Sequence, residues 1–430
     1  AQRLKHQSGA TVALPPLARN AGQEDNFWTE DQDSQTYSQI HARLAVVTSH
    51  ASFYVEDGQP FNQAALQDSA DAFEQQVYSK SLKIFGDSNG GAPITILNAV
   101  GLGTNVGGYF SPQNEYPTSV YPYSNQRDMF SMNLDGESPG SADYNNTLAN
   151  EFQQLLDWHM HPLTFDWVNE GMAVLAQHLN SYSTNGVDRA FLSVPNTQLT
   201  DWSADLNLEA AHAGAGYLFL DYFAEHYGGY GVLQELLRDP APPPTNFDDV
   251  LAKHNYTERF PDVLQKWLVA NFISDPSIDI GEYGYPTLHL HGLKPQHVVN
   301  VYPLSKADQV NQYAANYYDL FPQAARNNTL AIHLSGSPTV RLVGNDPLDG
   351  AGEWWGNRAN NMDSTLTRSF DLSHLQGQHA TLQFATWFDL QQDHDYAYVE
   401  VSTNNGASWS TLLGNFTTQS NPNGLNLGNG

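Results

Sequence analysis

Residues 44–55 run Leu-Ala-Val-Val-Thr-Ser-His-Ala-Ser-Phe-Tyr-Val, two β-branched and aromatic stretches split by a polar break, and they predict two strands. In residues 61–85 the apolar positions change period. Ala65, Phe73, Val77 and Leu82 fall near the helical repeat, which predicts a helix packed on that sheet. Pro93 to Val100 reads as a buried strand, and the glycine-rich run from Gly101 to Gly108 as a loop. Thr147 is placed to cap a helix from Leu148 to about Trp158, and Asp166 or Thr164 to start a second that carries Trp167 to Leu179. A third, over residues 214–227, sets Leu218, Phe219 and Phe223 on its apolar face. Beyond the stiff connector Asp239-Pro-Ala-Pro-Pro-Pro-Thr245, two more helices are expected over 248–253 and 260–272. Residues 1–36 are polar and lack a period, so they read as an extended lead-in. The segment from Pro286 to about Asp308 joins two domains, and the short alternating strands after it predict a sandwich. The pattern thus divides the chain into an extended segment (1–36), an α+β domain (37–290) and an all-β sandwich (291–430).

The two central helices also carry the sharpest chemical signal. A peptidase helix that holds Zn²⁺ reads His-Glu-x-x-His. The i, i+4 spacing puts both imidazoles on one face, and the Glu between them acts as base on the metal-bound water. Here the frame reads Asn150-Glu151-Phe152-Gln153-Gln154. The glutamate is in place, but both ligand positions carry amides, whereas catalytic zinc sites are built from His, Asp, Glu and Cys. The second helix adds Glu170 within Trp167-Val-Asn-Glu-Gly171.

These blocks are joined by Ala51-Ser-Phe-Tyr-Val-Glu-Asp57, Pro93-Ile-Thr-Ile-Leu97, Gly108-Tyr-Phe-Ser-Pro112, Tyr121-Pro-Tyr-Ser-Asn125, Trp267-Leu-Val-Ala-Asn271 and Tyr283-Gly-Tyr285. Together, from about residue 40 to 290, they resemble the peptidase domain of secreted zinc metallopeptidases related to immune inhibitor A. The resemblance implies a zincin-like, thermolysin-like fold. Asn150 and Gln154 would stand at the two lost histidine positions, with Glu151 a vestigial general base and Glu170 a vestigial third metal ligand. Asp157 would replace a residue that is often His in such relatives, and His212-Ala-Gly214 falls where active members are expected to read His-Tyr-Gly. A second resemblance rests on Gly352-Glu-Trp-Trp-Gly356, Thr365-Leu-Thr-Arg-Ser-Phe-Asp371, Trp387-Phe-Asp389 and Asp395-Tyr-Ala-Tyr-Val-Glu-Val-Ser402. It is to the jelly-roll, MAM-like sandwich that follows the peptidase in the same family. That pattern continues past Gly424, so the sandwich is expected to be incomplete at its C-terminal end.

Composition narrows the function. Eighteen basic residues against 46 acidic ones give a net charge of −28. Nucleic acids and anionic membranes are therefore poor partners, since both are bound through Lys and Arg, and carboxylates are left over for Ca²⁺. The chain has no cysteine, which excludes disulfides and thiolate metal sites. No apolar run approaches the roughly 18 residues of a membrane span. Ala1 to Gln7 lacks the apolar core of a signal peptide, so a signal cleaved just before Ala1 is expected.

Further candidates surround the central motif. His159, His161 and His178 are the substitute ligands to check, and Glu151, Asp157 and Glu170 would suit Ca²⁺ or Mg²⁺ better than Zn²⁺. His289 and His291 alternate as same-face strand residues do. In the sandwich, Asp346, Asp349, Glu353, Asp393 and Asp395, with Asp363 beside them, lie in loops where calcium is expected. Trp354, Trp355, Trp387, Tyr396 and Tyr398 are assigned to its core rather than to a sugar or peptide platform. The sequence therefore reads as a secreted or cell-surface bacterial peptidase homologue that holds no zinc. It would act as a non-catalytic binding or structural protein, with a protein or peptide partner or by self-assembly, without nucleic acid or membrane insertion. The alternative is an active zinc endopeptidase whose metal site is rebuilt from other residues or altered by substitution.

Overall fold

The computed structural model describes residues 20–86, 93–161, 165–202, 206–290, 293–321, 330–337, 339–341, 343–356, 363–375, 377–415, 417–422 and 426. They fall into two units. The larger holds the described residues of Pro16–Pro112 and Arg127–Ser337, the smaller those of Gln113–Gln126 and Pro338–Gly430.

In the larger unit β1 (Glu24–Asp31), β2 (Thr36–Val47), β3 (Ala51–Glu56), β4 (Ile94–Ala99), β5 (Gly108–Phe110) and β6 (Met129–Asn133) form one sheet in the order β1-β2-β3-β4-β6-β5. β3, β4 and β6 run parallel, and the other neighbours pair antiparallel. β1 rises out of the segment read as a lead-in, and its alternation turns Phe27 and Thr29 inward. Phe53, Val55, Ile94, Ile96, Phe130 and Met132 face the main core, while Tyr54, Leu97 and Met129 join Phe27 and Leu44 in a smaller cluster.

The helix predicted over 61–85 is present, capped by Asn62, whose Oδ1 accepts from the amides of Ala64 and Ala65 at 3.0 and 3.2 Å. It comprises α1 (Gln63–Ala72), a π-helical segment (Phe73–Tyr78) and α2 (Ser79–Phe85). The next helix, α3 (Ala142–Met160), starts earlier than Thr147 suggested. Ser141 is its cap, accepting from the Tyr144 amide at 3.1 Å, and the Thr147 hydroxyl instead donates to Glu137 Oε1 at 2.9 Å. α4 (Asp166–Leu179), α5 (Val187–Ser193), α6 (Leu206–His226), α7 (Gly231–Arg238), α8 (Thr245–Lys253) and α9 (Phe260–Ile273) complete the helical layer. α4 and α6 meet backbone to backbone. A Cβ on Gly171 would lie 2.6 Å from the Gly216 carbonyl carbon, and one on Gly216 would lie 2.4 Å from Trp167 O. That contact sets the place of Glu170, one residue before Gly171. β7 (His297–Val299) and β8 (Tyr318–Leu320) form a separate parallel pair. Among the described residues no helix is long and apolar enough to cross a membrane.

In the smaller unit β9 (Glu400–Val401) and β10 (Ser410–Thr411) pair antiparallel. Of the aromatic residues assigned to a sandwich core, Trp354, Trp355 and Trp387 lie at the surface here, Trp354 85% and Trp387 50% exposed, and Tyr396 and Tyr398 are half-buried. A two-residue ladder offers no second layer to cover them, so alternation in the sequence does not become burial.

Candidate functional site

α3 and α4 bring the motif residues together. Glu151 is buried on α3, and the amide of Phe110, on the edge strand β5, donates to its carboxylate. The other oxygen, Oε2, is buried without a hydrogen-bond partner. β5 sits close because Gly108 lacks a side chain. A Cβ there would lie 2.6 Å from Ser131 O, 2.9 Å from Thr147 Cγ2 and 3.3 Å from Glu151 Cγ. The two amides at the ligand positions share one hydrogen bond, Gln154 Nε2 donating to Asn150 Oδ1 at 3.1 Å.

The carboxyls crowd one another. Burial first, and then the Glu170 carboxylate, push Glu151 up to about 8, against the pull of the Phe110 amide. Loss of water among the packed helices, with Asp166 and Glu209 adding like charge, pushes Glu170 up to about 7. Glu137 joins this group, raised by burial, and its Oε2 has no hydrogen-bond partner. The sequence pattern does not single out Glu137, because a loop residue gives no periodic signal. His212, on α6, is buried and held neutral by that burial, its ring 6.1 Å from that of Trp202, and its Nδ1 has no hydrogen-bond partner.

The other candidates are dispersed. Asp157 is buried on α3, but Glu151, Asp157 and Glu170 do not bring oxygens within 4.8 Å of one another as a set. His159 Nε2 lies 3.8 Å from Asp128 Oδ1, and His161 caps the end of α3 with its imidazole pushed down by burial. The His178 ring packs 5.7 Å from that of Tyr217. It lines a cavity of about 310 Å³ that His289 also lines. His291 lies outside the described residues. In the smaller unit Asp346 pairs with Arg341 at 2.9 Å, and Glu353 accepts from Asn345 at 3.1 Å. Asp395 accepts from the Gln391 amide at 3.0 Å, and Asp393 accepts from Gln392 at 3.4 Å. Asp349 and Asp363 are exposed. No three of Asp346, Asp349, Glu353, Asp393 and Asp395 gather ligand atoms within 4.8 Å.

Comparison with known proteins adds two findings. Residues 317–430 match the family model described as "Immune inhibitor A-like, MAM domain". The C-terminal region is MAM-like. The chain is also similar to the "Pre-pro-metalloprotease PrtV" of Vibrio cholerae serotype O1, in strains M66-2 and ATCC 39315 / El Tor Inaba N16961. Each is 32% identical over 85 residues, a stretch that is 20% of this chain and 8% of the relative. The structure thus supports the mixed α+β character of the larger unit, and the family match supports the immune inhibitor A-like MAM character of residues 317–430.

Proposed function

We propose that the larger unit has a zincin-like peptidase fold with a vestigial metal centre. On this reading the protein is a secreted or cell-surface homologue that binds an extended peptide or protein segment without cleaving it. The observation that carries the reading is the Gln154–Asn150 hydrogen bond of 3.1 Å. At the two expected ligand positions one amide occupies the acceptor of the other, and neither is a zinc donor. The donor set does not fit zinc. Peptide binding draws support from β5, a strand at the sheet edge directly beside Glu151. An extended segment adds to such an edge through backbone hydrogen bonds.

A second reading, an active zinc endopeptidase with a rebuilt centre, draws on the neutral, buried His212 and on the similarity to a metalloprotease. One experiment separates the two: elemental mass spectrometry of protein purified without chelator, beside a casein digestion. The first reading expects zinc far below one per chain and no cleavage. Stoichiometric zinc with chelator-sensitive cleavage would overturn it in favour of the second.

A further inference from the structure

The cavity shared by His178 and His289 has walls of its own chemistry. His178 lies near the end of α4, eight residues from Glu170, about 12 Å along the helix. Tyr182 follows it, Asp188 stands in the first turn of α5, Tyr217 comes from α6, and Leu288 and His289 come from the segment after α9. Asp188 is the one carboxylate among the described lining residues. Burial, with Lys80 adding to it, keeps His178 neutral. Lys80 and Arg189, whose guanidinium lies against Gly186, are the nearby cations, and neither lines the cavity.

Two further carboxyls stand behind one wall, both pushed up by burial. Asp221 and Glu225 follow Tyr217 on successive turns of α6. Asp221 Oδ2 and Glu225 Oε2 have no hydrogen-bond partner, and Asp221 is fully buried. Asp188, Asp221 and Glu225 all act electrostatically on the Tyr217 phenol. The ligand that fits is larger than a metal ion, because His178, Asp188 and His289 do not bring donor atoms within 4.8 Å of one another. Tyr182, Tyr217 and Leu288 offer aromatic and aliphatic walls to a stem, and Asp188 offers a carboxylate to a cationic head.

We propose that this cavity binds a guanidinium or ammonium group carried on an aliphatic stem, the side chain of an arginine or lysine. That the side chain belongs to an extended peptide rests on the function proposed above; the charge chemistry of the cavity does not. The test is calorimetric titration of the full chain with Nα-acetyl-arginine amide and with its neutral isostere Nα-acetyl-citrulline amide. The arginine derivative is expected to bind at least about tenfold more tightly. Asp188→Asn should weaken it by a similar factor, and so should Ser183→Lys, which adds a competing cation at an exposed lining position. Equal binding of the two amides, binding of neither, or undiminished binding in both variants would overturn the proposal. So would loss of binding in Glu151→Gln with retention in Asp188→Asn, which would place the cation at the carboxylate centre. A neutral extended peptide that binds while the arginine amide does not would overturn the cavity assignment alone. Arginine amide binding without binding of any extended peptide would support the cavity and sink the peptide reading.

Discussion

Glu151 concentrates the electrostatic cost of the larger unit. Its carboxyl is buried, one oxygen lacks a partner, and Glu170 opposes its ionisation. Because its folded value of about 8 lies above the ordinary 4.5, the folded chain holds the proton more tightly than the unfolded one. The stability this lends is fully present below about pH 4.5 and is lost as pH rises through about 8. Asp221, raised to about 7 mainly by burial, acts with the same sign. Glu151→Gln keeps the shape and removes the ionisation. Each tenfold gain in proton affinity on folding corresponds to about 1.4 kcal/mol, and relaxation around the site takes back part of it. The variant is therefore expected to be more stable than the parent by about 1–3 kcal/mol at pH 9, and nearly equal at pH 4. Urea unfolding at the two pH values reads the difference. Equal stability at pH 9 would mean that Glu151 ionises without strain.

At the scale of elements, the edge strand β5 is what turns a helix motif into a site, and it depends on Gly108. A side chain there would collide with Ser131 O, the Thr147 methyl and Glu151 Cγ. Gly108→Val is expected to cost about 1–3 kcal/mol through overpacking, and to weaken binding of an extended peptide by displacing the strand edge. Unchanged stability and unchanged peptide binding would remove β5 from the proposed cleft. This element was also the hardest to read from the chain. Three residues, Gly108-Tyr-Phe, are too few to show a period of two, and they follow a glycine-rich run. By contrast, the helix carrying Glu151 was legible because its apolar residues repeat at helical spacing. Leu148, Phe152, Leu155 and Leu156 are all buried in the structure. Its true start was not legible. Ser141 and Thr147 are both suitable caps in isolation, and only the position of Glu137 engages the Thr147 hydroxyl elsewhere. α7 escaped because eight residues give few repeats, although Val232, Leu233, Leu236 and Leu237 all turn inward. Glu137 and the Phe110 amide reach Glu151 only through folding, and no local spacing announces them.

At the scale of the whole molecule, the two units differ in how much apolar surface they remove from water. The larger buries aromatic residues of every kind, among them Trp167, Trp267, Tyr144, Tyr285 and Phe53. None of the described residues in 339–426 is buried, and Trp354, Leu366, Phe384 and Phe388 lie open to solvent. Apolar burial is the main term that offsets chain entropy, at about 25 cal/mol per Å². A segment without it opens at low free energy, and proteases cut where opening is easiest. The charge of −28 adds self-repulsion that favours expanded states wherever packing is weak. Brief chymotrypsin treatment under native conditions is therefore expected to cleave first after aromatic residues in 339–426, leaving a fragment that holds the larger unit. Intact-mass analysis over time identifies the first cuts. First cuts inside 24–290, with 339–426 left whole, would show that the MAM-like region resists opening better than the larger unit. That region would then have to be treated as a stable domain in any account of how this protein meets a partner.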